Sequence, residues 1–127
     1  MQAIAFPDGL QTVGDYAFYK CHALQTVTFG EGLQTISQEA FSDCQALQAI
    51  TLGEGLQTIG ERAFYNCDAL QAVTLPAGLR TVAWLAFGYI GGGNRDNQKV
   101  DGFTSYGAPG SVAEKYARAN GFRFVER

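Results

Sequence analysis

Reaction chemistry has little to work with in this sequence. There is one histidine, His22, and charged side chains make up only 17% of the 127 residues. An acid–base site would need a nucleophile or carboxylate set against His22, and nothing in the sequence points to one. Three cysteines are an odd number, which leaves one without a partner in any disulfide scheme. A net charge of −3 gives no basic surplus for nucleic acid or an anionic membrane. No stretch approaches the ~20 apolar residues needed to cross a bilayer as a helix. Met1 to Pro7 shows no basic segment followed by an apolar run, so no signal peptide is expected there. The triple glycine Gly91-Gly92-Gly93 lacks the G-K-[ST] element of a phosphate cradle.

What is present points to one folded domain. Hydrophobic residues make up 46% of the chain, in the globular range, and the length can bury a modest core without metals or bridges. Charge is unevenly spread: residues 1–79 carry eight acids against two bases, and residues 80–127 carry four against seven.

The organising feature is a 23-residue repeat. Leu10, Leu33, Leu56 and Leu79 form one column; Val13, Ile36, Ile59 and Val82 form another. Ala17, Ala40, Ala63 and Ala86 follow, then Phe18, Phe41, Phe64 and Phe87, then Cys21, Cys44 and Cys67. Leu24, Leu47 and Leu70, then Val27, Ile50 and Val73, then Phe29, Leu52 and Leu75 complete the unit. Met1, Ile4 and Phe6 occupy the corresponding columns one period earlier. The L-x-x-V-x-F and L-x-x-I-x-L runs alternate as short strands do. Gly30-Glu31-Gly32, Gly53-Glu54-Gly55 and Pro76-Ala77-Gly78 are turn formers. One coil cannot bury its own inward positions, so the coils must stack, roughly 4.8 Å apart where strands pair.

The pattern L-x-x-V-x-L-P-x-x-L-x-x-I-x-x-x-A-F-x-x-C resembles the BspA-like leucine-rich repeat of bacterial surface proteins. Tyr106-Gly107, Gly110 to Ala117 and Asn120 to Phe124 are similar to the segment that closes such arrays. The expected fold is an α/β, β-rich solenoid: a short leucine-rich repeat arc with a C-terminal closing strand-helix-strand segment. Residues 1–90 would hold a partial first coil and four units, and residues 91–127 a capping segment of the same domain. The resemblance implies a non-catalytic module for adhesion or protein recognition at the cell surface, with an unknown protein or glycan as ligand. It implies no cofactor. The alternative is a structural spacer that holds neighbouring domains apart.

After Phe87 the repeat fades. Gly91 to Asn97 is expected to be a surface loop, with a strand over about Val100 to Tyr106. A helix from about Val112 to Ala119 follows, with Ser111 as N-cap, Glu114 completing a capping box and Asn120-Gly121 as the stop. Phe122 to Val125 reads as a last strand. Asn94 to Gln98 bears a faint likeness to a calcium loop but lacks its glycine and final acid, so a plain loop is expected.

The three cysteines read as a column of core thiols, with a disulfide or zinc as the alternative. His22 shares its column with Gln45 and Asp68, which marks an outward position. Gln2, Gln25, Gln48 and Gln71 suggest a side-chain amide ladder, and Glu31 and Glu54 a charged column at the turns. The outward strand residues Thr26, Thr28, Thr51 and Thr74 form a small, uncharged face, suited to exposed strands or to a ligand. Trp84 and Tyr89 complete the candidate ligand surface. Trp84 stands where Asp15, Gln38 and Glu61 stand elsewhere. With Leu85 and Tyr89 it would receive the closing segment at Phe103, Tyr106 or Tyr116, or else form an exposed aromatic patch. The N-terminal end, with Ile4 and Phe6 facing inward, is expected to pair with preceding repeats or with a second copy.

Overall fold

The computed structural model describes residues 2–92 and 95–127 and is a β-solenoid. Each coil contributes a three-residue and a two-residue strand: β1 (Ala3–Ala5) and β2 (Thr12–Val13), β3 (Thr26–Thr28) and β4 (Thr35–Ile36), β5 (Ala49–Thr51) and β6 (Thr58–Ile59), β7 (Ala72–Thr74) and β8 (Thr81–Val82). Two antiparallel strands follow, β9 (Tyr89–Gly92) and β10 (Arg95–Lys99). The chain ends with β11 (Thr104–Gly107), helix α1 (Val112–Asn120) and β12 (Arg123–Glu126).

Strands of successive coils pair in parallel and in repeat register: Val13 opposes Ile36, Ile36 opposes Ile59, and Ile59 opposes Val82. The rest of each coil serves as the crossover that parallel pairing requires. Corners are tight. Tyr16, Glu39, Arg62 and Leu85, one column, and Lys20, Asp43 and Asn66, another, all take left-handed backbone angles between 51° and 61°.

The core is a set of columns. Phe18, Phe41, Phe64 and Phe87 stack nearly parallel, with centroids 5.1, 5.2 and 4.8 Å apart. Each Phe amide donates to the carbonyl of the next coil's alanine: Phe18 to Ala40, Phe41 to Ala63, Phe64 to Ala86. The Cys44 and Cys67 thiols donate to the Phe18 and Phe41 carbonyls of the preceding coil at 3.1 and 3.2 Å. All three cysteines are free; Cys44 and Cys67 are buried, whereas Cys21 is only half-buried. The first coil is altogether less covered: Ile4, Phe6, Leu10 and Phe18 are half-buried and Ala17 is exposed.

One ladder is interrupted. The two-residue strands form a continuous sheet β2-β4-β6-β8, but the three-residue strands fall into β1-β3-β5 and β7-β11-β12. Gln48 donates to the Gln25 carbonyl and Phe29 to the Thr51 carbonyl, yet the equivalent bonds from Gln71 to Gln48 and from Leu52 to Thr74 are not made. The cause lies in the adjoining turn. A side chain on Gly30 would meet the Pro7 carbonyl at 2.8 Å, and one on Gly53 the Gly30 carbonyl at 2.7 Å. Pro76 occupies this column in the fourth coil, and its buried ring holds the coils apart. At Gly78 the nearest atom to an added Cβ, the Glu54 carbonyl oxygen, is 3.8 Å away, where the matching atoms would collide with Gly32 and Gly55. The carboxylate ladder stops here too: Asp8 accepts from the Glu31 amide and Glu31 from the Glu54 amide, but Glu54 accepts nothing from Ala77. Ile50 and Leu52 are consequently half-buried, while Val27, Phe29, Val73 and Leu75 on either side are buried.

The closing segment takes the place of a fifth coil. Strand β11 pairs with β7, and the Leu75 amide donates to Tyr106 as it would to a repeat strand. The Phe87 amide has no alanine carbonyl to meet. Instead it donates to the Tyr116 hydroxyl at 3.0 Å, which donates in turn to the Phe87 carbonyl at 2.7 Å. Phe103 and Tyr116 cover the Phe87 ring at 6.5 and 6.3 Å.

Several expectations need correcting. The expected loop at Gly91 to Asn97 is largely the β9–β10 hairpin; Gly93 and Asn94, and with Asn94 the start of the calcium-like stretch, lie outside the described residues. Val100 to Phe103 is a turn with Gly102 at φ 70°, so the strand begins only at Thr104. Ser111 makes no side-chain cap; its hydroxyl donates to Ala108, and Glu114 accepts from the Gly110 amide, one residue before the position a capping box uses. Gly121 does stop the helix, at φ 72°. The glutamine columns support the stack through backbone amides and carbonyls, with no side-chain amide bond between them among the described residues.

Candidate functional site

The expected surface residues do not form one site. Thr26, Thr28, Thr51 and Thr74 are all exposed on the face of the three-residue strands, with Ala49 and Ala72 between them. Thr51 and Thr74 flank the interrupted ladder, at a cleft of about 330 Å³ that reaches Ile50, Leu52 and Pro76. Arg127 closes one side of it. Its guanidinium lies 3.9 Å from the Tyr106 ring centre and donates to the Thr74 hydroxyl at 3.2 Å.

Trp84 and Tyr89 part company. Tyr89 does meet the closing segment: its hydroxyl donates to Asn120 at 2.7 Å and its ring packs on Phe122 at 5.4 Å, with burial raising its pKa. Leu85 is buried. Trp84 is not covered. It is 61% exposed, at a hollow it lines with Val112, Lys115 and Tyr116 of the closing segment. The Arg62 guanidinium sits 5.2 Å from the Trp84 ring and 5.5 Å from the Tyr65 ring, so a cation–π contact on each side fixes it.

A second polar region, unmarked in the sequence, lies on the corner side of the coils. A groove of about 610 Å³ runs from Tyr19 and Lys20 in the first coil to Tyr65, Asn66 and the β9–β10 hairpin. Its walls are ordered by hydrogen bonds. Asn66 donates to Asp43 at 2.7 Å and accepts from the Gly91 amide at 2.7 Å, and the Tyr65 hydroxyl donates to Asn97. At its edge the Tyr16 hydroxyl donates to Glu39 at 3.1 Å, and this contact raises the Tyr16 pKa. Tyr16 and Tyr19 are both exposed and meet edge to face at 5.6 Å. The signal that could have revealed the groove was the departure of neighbouring columns from uniformity: Tyr19, Ser42, Tyr65 and Lys20, Asp43, Asn66.

His22 is exposed, beside a shallow apolar hollow formed with Ile4, Phe18 and Leu24. Among the described residues no three His, Cys, Asp or Glu side chains are placed to hold a metal ion, and no helix is long and apolar enough to cross a membrane.

Comparison with known proteins agrees with this architecture. A leucine-rich repeat protein from Bacteroides capillosus is 27% identical with a TM-score of 0.61, over 71% of this chain and 77% of its own. One from Bacteroides ovatus is 33% identical with a TM-score of 0.58, over 64% of this chain but only 21% of its own length. A leucine rich cell surface protein from Faecalibacterium prausnitzii shares the fold over 99% of this chain, closing segment included, at 20% identity and a TM-score of 0.69; this chain spans 32% of it. No curated protein sequence matches. Residues 1–91 match the BspA type leucine rich repeat region in six copies, and the chain therefore belongs to that family.

Proposed function

We propose that this chain is a non-catalytic binding module of a bacterial cell-surface protein, serving adhesion through contact with a protein or glycan. The observation that carries this is Trp84. Stacking consumes the inward columns, yet one large aromatic is left 61% exposed on a rigid coil and held in place by Arg62. Tryptophan and arginine are among the side chains that dominate binding energy at interfaces, and Trp84 and Arg62 form such a pair.

The alternative, a spacer between neighbouring domains, draws support from the other face, where the exposed residues of β1, β3, β5 and β7 are alanine and threonine. The two roles separate experimentally. Beads carrying the chain are expected to be retained on mucin, a glycan-rich surface, or on collagen, a glycan-poor one, and Trp84→Ala should lower retention several-fold. Retention no greater than on albumin for both coatings would overturn the binding role and favour the spacer.

A further inference from the structure

The closing segment replaces a fifth coil in one ladder only. Strand β11 pairs with β7 and continues the three-residue strands, but the sheet β2-β4-β6-β8 ends at β8, with nothing paired to its outer side among the described residues. In the coil before, the Gln57 carbonyl accepts from the Arg80 and Thr81 amides and the Ile59 carbonyl from Ala83. The matching carbonyls of the last coil, those of Arg80 and Val82, accept from no group among the described residues. Helix α1 packs beside this edge without closing it, and the two wall a hollow of about 460 Å³. A strand edge with free carbonyls is a template for one more strand.

The lining of the hollow states what that strand must carry. Val82, Ala83 and Val112 are half-buried there and Trp84 is exposed, so apolar surface is left part-covered. Arg80 and Lys115 stand exposed on the walls, and no carboxylate lines the hollow. The acids nearby in sequence are engaged elsewhere: Glu61 lies 3.5 Å from Arg62, and Glu114 holds the Gly110 amide and Arg118. Side chains of an added strand alternate between two faces, as exposed Thr81 and half-buried Val82 do. Every second residue would then lie over Val82 and Val112, and those between would stand beside the two cations. Apolar and acidic residues in alternation satisfy both faces.

We propose that the outer edge of β8 accepts an extended segment of a partner protein, with apolar and acidic residues in alternation, as a fifth strand of the sheet. The proposal rests on the binding role argued above and names the partner's chemistry. Trp84, the single tryptophan of the chain, lines the hollow and reports its occupancy by fluorescence. Titration with the end-blocked hexapeptide Val-Glu-Val-Glu-Val-Glu should shift its emission to the blue saturably, while the Val-Lys counterpart should not. Lys115→Glu should weaken the binding at least tenfold. Lys20→Glu, the same change of charge in the first coil, leaves it unchanged. If Lys115→Glu fails to fold, Arg80→Glu decides instead, with the same loss expected. Alternate peptide amides face β8, so N-methylation of one alternate set should abolish binding and N-methylation of the other should be tolerated.

Equal response to the lysine peptide, binding that survives the folded charge-reversal variant, or tolerance of both methylated peptides would overturn the proposal. So would a Trp84 spectrum that moves with protein concentration alone, since a second copy would then fill the hollow. Silence from the acidic peptide would overturn it too. In that case, Trp84-dependent retention on mucin or collagen would leave the binding role standing without strand addition, and failure of both would remove the two together.

Discussion

At the scale of single residues, the chemistry of this chain is that of plugs and staples. The Cys44 and Cys67 thiols each satisfy a phenylalanine carbonyl of the coil before. Burial raises both pKa values, that of Cys44 from 9.0 to about 11. The fold therefore holds the Cys44 proton over a window in which the unfolded chain has released it. Its contribution is full below pH 9 and is lost as pH rises to about 11. Urea unfolding at pH 8 and pH 10 should show a fall in stability that is shallower in Cys44→Ala. A thiol reagent at pH 8 should modify half-buried Cys21 well before the other two, and equal rapid reaction of all three would contradict the buried column. Phe41, at 0% exposure between two stacked rings, should cost about 3–5 kcal/mol as alanine. Tyr116→Phe tests the cap at a single atom. Removing the hydroxyl strands the Phe87 amide and carbonyl, so about 1–3 kcal/mol should be lost in chemical unfolding.

At the scale of elements, the interruption between β5 and β7 is the feature that one substitution can probe. Pro76→Gly removes the ring that separates the coils and restores the residue type of Gly30 and Gly53. Two effects compete. Glycine gives the unfolded chain more freedom, which costs about 0.4–1 kcal/mol. Closing the ladder restores at least two backbone hydrogen bonds at about 0.5–1.5 kcal/mol each and covers Ile50 and Leu52 further. The second effect is the larger, so the variant should be more stable, and hydrogen exchange at the Leu52 and Gln71 amides should slow. Unchanged exchange at both would show that something besides Pro76 keeps the strands apart. This junction also shows what the sequence made legible. Columns of identical residues reveal the coil, its register and its core, because every coil solves the same packing problem. Departures are harder to read. Pro76-Ala77 reads as one more turn, since the wedge exists only against a neighbour 23 residues away. Gly91-Gly92 reads as a loop, although glycine can also pair in a hairpin. Trp84 reads as a cap contact or as an exposed patch, because an apolar swap looks alike whether it faces a partner or solvent. The groove was hard to read for a related reason: the uneven columns Tyr19, Ser42, Tyr65 and Lys20, Asp43, Asn66 line one surface only once stacked.

At the scale of the whole molecule, the two ends of the stack are unlike. One end is finished by the Tyr116 hydroxyl and the Phe103 ring; the other presents half-buried Ile4, Phe6 and Phe18 beside the open edges of β1 and β2. We expect that surface to be covered in use, by preceding repeats or by a second copy related by a two-fold axis. Light scattering of this chain over a concentration series should show a dimer forming, and Phe18→Glu should abolish it. A strict monomer at millimolar concentration would contradict pairing through that end. The interrupted ladder has a mechanical consequence as well. When a solenoid is pulled along its axis, the load passes from coil to coil through the strand ladders and the side chains between them. Among the first three coils two strand ladders share that load, but between the third and fourth only β6 and β8 are paired, beside corner bonds such as that from Phe64 to Ala86. A module that tethers one surface to another under shear would yield at this seam before the two seams that precede it. The first three coils would part from the fourth and its closing segment, and each piece would keep its own ladders.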